Sequence, residues 1–494
     1  MPDMTFPDLT KFYIDGAWVE PAKTATFALI DPATEEEFGQ LAIGSAEDVD
    51  RAVRAAHRAL PAFRDSDPAE RVALLRRALK LYEERSESFA EAMRQEMGSP
   101  ITFSRQGQVP RGPLHINALL EVMETFAFEK DRGTTRLRHE AVGVCGLITP
   151  WNWPINQVVV KVAPALAAGC TMVLKPSEFS ATSALLFAQV LHDAGVPAGV
   201  FNLVNGDGPN VGAAIASHPL VDMVSFTGST GAGIRVAEAA APTVKRVAQE
   251  LGGKLANILL EDADFATAVP KGVAACFTNS GQSCSIPTRM IVPRSRLDEV
   301  VGLAVARAQQ IRLGPTTDPK TDLGPLVNRA QFDRVRRLIQ SGIDEGATLC
   351  CGGPNRPEGL ERGFYVRPTI FTGVTPEMTI AREEIFGPVL SILSYEDEDE
   401  AVALANSSDY GLAAYVQSAS QERAQAVARR LVGGQVHINY PPADFHAPFG
   451  GFRQSGNGRE WGEAGLHEYL EVKAMIGYRP ATAQQTPEQK KIRG

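Results

Sequence analysis

Six cysteines in 494 residues include no CxxC pair, and the eight histidines form no cluster at metal-ligand spacing. No metal site is therefore expected, and the adjacent Cys350 and Cys351 make a poor disulfide. Sparse, unpatterned thiols fit a reducing cytoplasm better than an oxidising compartment. No apolar run reaches the ~18 residues that a bilayer span requires. The longest candidate, around 155–174, is broken by Asn156, Lys161 and Pro164. Met1-Pro-Asp-Met lacks the basic region and apolar core of a signal peptide. A net charge of −9 argues against nucleic acid as the main partner and favours solubility. Internal repeats are absent as well.

What is present is an ordinary globular composition, 44% hydrophobic and 22% charged with 7% aromatics. A single core rarely grows past ~250–300 residues, so about two to four domains are expected. Residues 10–45 read as short strands, with Asp15-Gly16 as a hairpin turn. Ser45 and Asp48 form a capping box that opens a helix reaching about Ala62. Asp67-Pro68 starts one long amphipathic helix that runs to Met97 and stops at Gly98.

From 141 onward apolar runs alternate with helical segments. The runs are Val142–Ile148, Thr171–Leu174, Val200–Val204, Met223–Phe226 and Arg246–Leu251, with helices near 155–167, 183–194, 209–217 and 231–240 between them. This alternation predicts parallel βαβ units with a ligand crevice at the carboxyl ends of the strands. A distinctive motif falls at each end: Thr149-Pro-Trp-Asn-Trp-Pro154, Lys175-Pro-Ser-Glu178, Gly206-Asp-Gly208, Phe226-Thr-Gly-Ser229 and Glu250-Leu-Gly-Gly-Lys254. A second α/β region follows Gly253, with strands near 257–260, 288–292, 389–394, 411–416 and 434–438 and a helix over 264–278.

Cys284, in Asn279-Ser-Gly-Gln-Ser-Cys-Ser, stands apart from the other thiols. A thiol is the one strong nucleophile with a few per cent of its active form present at neutral pH. Small neighbours leave its sulfur approachable. Cys276, eight residues upstream in an apolar run, fits a buried structural role instead.

Taken together with Glu383-Glu-Ile-Phe-Gly-Pro388 and Pro448-Phe-Gly-Gly451, these motifs resemble the aldehyde dehydrogenase superfamily over about residues 10–478. Their shared order, with 34 residues from Glu250 to Cys284, makes the resemblance specific. It implies an α/β fold with a Rossmann-type parallel-sheet cofactor domain, a second α/β catalytic domain and a small oligomerisation hairpin. The implied bounds are 1–127 with 145–252 for the cofactor domain and 253–450 for the catalytic domain. Oligomerisation elements would be 128–144 and 465–482, building a homodimer or homotetramer, with a flexible tail at 483–494.

The resemblance also implies roles. Cys284 attacks the aldehyde carbonyl, and the Asn152 amide with the Cys284 backbone N–H receives the resulting negative charge. Glu250 is the general base that activates water against the thioester, its pKa raised by burial. Lys175 joins this catalytic set, and Glu460 matches a position that assists proton movement, a structural salt bridge being the alternative.

For the cofactor, Lys175 and Glu178 would bond the adenosine ribose, Ser229 would meet the pyrophosphate at a helix N-terminus, and Glu384 and Phe386 would hold the nicotinamide side. Ile148, Thr149, Trp151, Ser177, Gly208, Gly212, Phe226, Gly228 and Leu251 complete the expected contacts. A carboxylate at 178 repels a 2′-phosphate, which favours NAD over NADP. Gly228-Ser-Thr-Gly231-Ala-Gly233 departs from the usual dinucleotide glycine pattern, as this superfamily does.

Two other readings compete with a dehydrogenase that makes free acid. A CoA-acylating relative would use CoA in place of water, and Glu250 counts against it. An inactive scaffold, as in lens crystallins, would have lost Cys284 or Glu250, and neither is lost. The small-molecule substrate is expected to pass Trp153, Val160, Ser283, Ser285 and the loop Tyr440–Ala447. Its aromatic lining suits an aliphatic or aromatic aldehyde. These stretches hold no arginine for a second carboxylate, though another segment could supply one.

Overall fold

A computed structural model of the chain describes residues 6–479. The expected tail at 483–494, the end of the 465–482 element and the first five residues lie outside them. Two large sheets organise the described residues. The first has eight strands in the order Gly456–Asn457, Arg246–Glu250, Met223–Thr227, Val144–Ile148, Thr171–Lys175, Phe201–Leu203, Phe12–Ile14 and Ala17–Val19. Its five central strands are parallel and its edges antiparallel.

Side-chain alternation explains why the central strands read as unbroken apolar runs. Cys145 and Leu147 enter one core beneath the sheet, whereas Val144 and Ile148 enter the other above it. Met172 and Leu174 likewise separate from Val173. With both faces covered by helices, every position must be apolar. The helix Pro154–Ala168 is buried along its whole length, which is why it carries no polar stripe.

The second sheet has seven strands in the order Thr348–Cys351, Thr369–Thr372, Val389–Tyr395, Arg289–Pro293, Ala256–Leu259, Ala413–Gln417 and Gln435–Ile438. The same alternation sends Ile258 and Leu393 to one core and Leu259 and Ile392 to the other. Sequence reading missed Thr348–Cys351 and Thr369–Thr372. The first is an irregular, partly exposed edge with no apolar run to announce it.

One helix departs from expectation. Asp67 accepts from Ala69 N–H and Pro68 opens the helix as expected, but the segment breaks at Arg85 into Pro68–Glu84 and Ser86–Met97. The Arg85 ψ of 13° leaves the helical range at that point, inside the polar run 83–88 between the buried Tyr82 and Phe89.

A three-stranded sheet, Leu470–Met475 with Thr135–Ala141 and Glu129–Arg132, stands apart from both. Val472, Ile476 and Tyr478 are exposed on or beside it. Among the described residues no helix is long and apolar enough to cross a membrane.

Candidate active site

In the first sheet the chain runs outward from Val144–Ile148 through Thr171–Lys175 to Phe201–Leu203, then returns to place Met223–Thr227 on the other side of Val144–Ile148. That reversal parts the loops and opens a crevice at the strand ends. A cavity of ≈ 360 Å³ lies there. Trp151, Asn152, Thr227, Gly228, Ser229, Glu250 and Leu251 reach it from the first sheet's strand ends. Cys284, Gln331, Arg334, Glu384 and Phe386 close it from the opposite side.

The loop that carries Cys284 is held in an unusual backbone path. Asn279, Ser280 and Gly281 all have left-handed φ values, 56°, 58° and 73°. A Cβ on Gly281 would come within 2.1 Å of the Gly387 carbonyl, so glycine is required at that point. Buried amides fix the path. Gln108 Nε2 donates to Asn279 Oδ1 at 3.1 Å, and Asn279 Nδ2 donates to the Asn152 carbonyl at 2.7 Å. Asn152 Nδ2 donates in turn to the Gln282 carbonyl at 3.1 Å. The Asn152 amide therefore lies against the nucleophile loop, two residues from the thiol.

The half-buried Cys284 thiol donates to Glu250 Oε2 across 3.8 Å. Burial pushes the Cys284 pKa well up, and the nearby Glu250, Glu384 and Glu460 carboxylates push it further. Glu250 is buried, and its other oxygen has no partner among the described residues. Burial and then Glu460 raise its pKa well above the ordinary carboxylate value, opposed by Lys161 and by the Cys284 hydrogen bond. Lys161, midway along the buried helix, donates to Ser225 Oγ at 3.0 Å and pairs with Glu460. Glu250, Glu460 and Val160 border a second cavity of ≈ 10 Å³, about the least that one water requires.

Glu384 accepts from Gly253 N–H at 3.0 Å, and burial raises its pKa to about 7. A Cβ on Gly252 would meet the Glu384 carboxylate at 2.2 Å, so the glycine pair is what admits Glu384 to the wall. Phe386 has a φ of 63° and meets the Trp151 ring edge-on at 5.5 Å.

Of the remaining residues of the expected cofactor set, all but Ser229 lie outside this lining. Lys175, grouped with the catalytic set on sequence, does not line the cavity with Cys284. Its ammonium lies 3.6 Å from Glu178, one strand outward, and Asp207 adds a second negative charge facing it. Thr149 N–H donates to the Lys175 carbonyl, and a methyl on Gly212 would contact both Lys175 and Ile148. Gly208 and Gly212 begin and end a short π-helical turn that Asp207 caps. Ser177 Oγ caps the turn at Glu178–Ser180. Phe226 is buried against Gly228 below the cavity, supporting it from behind. Ser229 lines the cavity and caps the eleven-residue helix Thr230–Ala240.

Beside the thiol, Trp153 Nε1 donates to Ser283 Oγ at 2.9 Å. Phe103 packs edge-on to Trp153. Phe445 meets His115, and Trp461 stacks on Phe449. Tyr440 turns inward instead, accepting from Asn257 Nδ2 at 2.7 Å. The Arg111 guanidinium lies over both the Trp153 and Phe445 rings.

The aldehyde dehydrogenase family pattern matches residues 18–475. The chain belongs to the aldehyde dehydrogenase family. It is 53% identical over 472 residues to 3-succinoylsemialdehyde-pyridine dehydrogenase of a Pseudomonas species, covering 95% of this chain and 99% of that one. A crystal structure of aldehyde dehydrogenase C from Pseudomonas syringae is similar at TM-score 0.95 and 55% identity, over 96% of this chain and 98% of that one. That structure is of a cysteine-to-alanine variant in complex with NAD+ and octanal. An aldehyde dehydrogenase from Bacillus cereus, solved as its NAD+ complex, matches at TM-score 0.91 and 38% identity, covering 95% and 96%.

Several residues in and around this dehydrogenase's cavity escaped sequence reading. Gln331 and Arg334 sit on the helix Arg329–Asp344, whose polar face is indistinguishable from a solvated one. Gln108 lies in a π-helical turn that gives no periodic signal. Lys161 carried a signal, the one charge inside a wholly buried helix. No described group of three or more His, Cys, Asp or Glu is placed to hold a metal ion.

Proposed function

We propose that this aldehyde dehydrogenase oxidises an aliphatic or aromatic aldehyde to the free carboxylic acid, with NAD as cofactor. The observation that carries the reading is the Cys284–Glu250 pair, a nucleophile and a base facing each other in one cavity at 3.8 Å. Cys284 attacks the carbonyl carbon and gives a thiohemiacetal. Its oxygen is stabilised by donors already in place, the Asn152 amide and the Cys284 backbone N–H. Glu250, ionised, takes a proton from water, which then attacks the thioester and releases acid and thiolate. The buried Lys161–Glu460 pair offers a way for that proton to leave.

The residues fit the cofactor. Thr149 Oγ1, Thr227 Oγ1 and Glu250 Oε1 are buried at strand ends without a partner among the described residues, and Thr227 and Glu250 line the cavity. The Thr230–Ala240 N-terminus favours a pyrophosphate. Lys175 and Glu178 would hold the adenosine ribose, and Glu384 the nicotinamide ribose, with Trp151 and Phe386 beside the ring. When bound, the nicotinamide supplies the hydride acceptor that separates thiohemiacetal from thioester. Glu178 and Asp207 disfavour the extra phosphate of NADP. The first sheet, 1–127 with 145–252, would then be the cofactor domain and 253–450 the catalytic one.

The aromatic wall at Trp153 and Phe445 supports the substrate class, and the two relatives named above take octanal and a pyridine-bearing semialdehyde. Exposed Val472, Ile476 and Tyr478 support pairing of copies through the three-stranded sheet, in a dimer or tetramer of a cytoplasmic enzyme.

Absorbance at 340 nm tests the reading with NAD, an aldehyde panel and no CoA. Reduction that disappears in Cys284→Ala is expected. Reduction only after CoA is added would move the enzyme to the acylating reaction and remove the role given to Glu250.

A further inference from the structure

The aromatic wall beside the thiol contains one charge. Arg111 sits with its guanidinium carbon 5.1 Å from the Trp153 ring centre and 5.5 Å from that of Phe445. Trp153 is in turn bonded to Ser283, the residue before the nucleophile. One indole and one hydroxyl therefore separate the guanidinium from Cys284. Among the described residues no carboxylate pairs with Arg111, and burial alone acts on it, drawing its pKa down. Its neighbour His115 is no counter-charge: it bonds Asn156 at 2.8 Å, and burial lowers its pKa to about 3, so it is neutral. The carboxylates closest in sequence to this wall are engaged elsewhere, Glu121 with His446 and Asp444 with the His446 N–H.

A half-buried guanidinium without an anion is costly, and the usual resolution is a paired carboxylate. Among the described residues, buried arginines show that resolution, as Arg94 does with Glu91, or donate to backbone carbonyls, as Arg71 and Arg289 do, and Arg111 has neither kind of partner. Two aromatic faces offset part of the cost and hold the guanidinium in place, leaving N–H donors unused. A preoriented fork of that kind matches a carboxylate in two parallel hydrogen bonds.

Resting on the reading of Cys284 as the nucleophile, we infer that Arg111 is a specificity residue that binds a carboxylate at the far end of the substrate, making the preferred aldehyde an ω-oxo acid. The aldehyde lies at Cys284, the methylene chain crosses the Trp153 indole, and the carboxylate meets Arg111. No bond is made or broken at Arg111. This assigns the missing arginine to the helix Arg111–Thr125, outside the stretches that sequence reading gave to the substrate channel.

The test compares adipic semialdehyde with hexanal, equal in chain length and different in the terminal carboxylate. In the wild type the oxo acid should have the higher kcat/KM. Arg111→Met keeps the apolar stem and removes the fork. It should lower kcat/KM for adipic semialdehyde by about 10–100-fold while leaving hexanal within about twofold. Arg111→Lys should restore part of the loss. Equal losses on both aldehydes would make Arg111 a structural prop for Trp153 and Phe445, and no loss on either would remove it from recognition; both overturn the inference. Hexanal turnover that depends on Cys284 keeps the general reading intact in either case. Should no aldehyde be oxidised, calorimetric binding of adipic semialdehyde to Cys284→Ala, with and without Arg111→Met, still decides. Binding that is unchanged by Arg111→Met, or absent from both variants, would overturn it.

Discussion

Cys284 donates its thiol hydrogen to Glu250 across 3.8 Å, and the two groups act on each other's titration in opposite senses. The hydrogen bond helps Glu250 to ionise, whereas the Glu250 charge opposes the thiolate. A carboxylate placed this way favours the protonated thiol. Replacing Glu250 by Gln removes that negative charge. Alkylation of Cys284 by iodoacetamide, followed against pH, should therefore show its midpoint move to lower pH in Glu250→Gln. A midpoint that stays or rises would mean the carboxylate does not face the sulfur.

Glu250 works as a base only when ionised, and burial raises its pKa. Turnover should consequently fall as pH drops through a value above the ordinary carboxylate range. Glu460 raises that pKa and Lys161 lowers it. Glu460→Gln should thus shift the acid limb of kcat to lower pH, and Lys161→Met should shift it higher. Shifts in the same direction, measured in pH–rate profiles, would contradict this arrangement.

Much of this site was legible in the sequence because its motifs coincide with strand ends. Asn152, Glu250 and Cys284 were each marked by a local pattern; the first sheet's strand ends carry Asn152 and Glu250, and the Cys284 loop meets them from the opposite side. Arg111, Gln331 and Arg334 were not legible, because each lies on a helix whose polar positions look solvated until the fold is known. Arg85 shows the same limit for the backbone. Only the polar run 83–88 marks it, and a run of that kind also fits a solvated stretch of one continuous helix.

Glu178 and Asp207 both face the side of the crevice where Lys175 lies. Glu178→Gln should raise kcat/KM with NADP by about tenfold or more while reducing that with NAD, since one repelling charge is gone. Steady-state kinetics with both cofactors measure the ratio. An unchanged ratio would place the discrimination on other residues.

Gly281 occupies a left-handed position with the Gly387 carbonyl against it. Gly281→Ala should cost about 1–3 kcal/mol of stability through displacement of the loop. Activity should fall further than the loss of folded protein accounts for, because the thiol moves relative to Asn152 and Glu250. Thermal unfolding and kcat on the same preparation separate the two effects.

The most direct test of the mechanism is to trap the enzyme between its two halves. Glu250→Gln, mixed with NAD and hexanal and examined by intact-protein and peptide mass spectrometry, should carry an acyl group as a thioester on Cys284. One equivalent of NADH should form at once, with later turnover slowed by about 10²–10⁴. Undiminished turnover with no adduct on Cys284 would contradict the account.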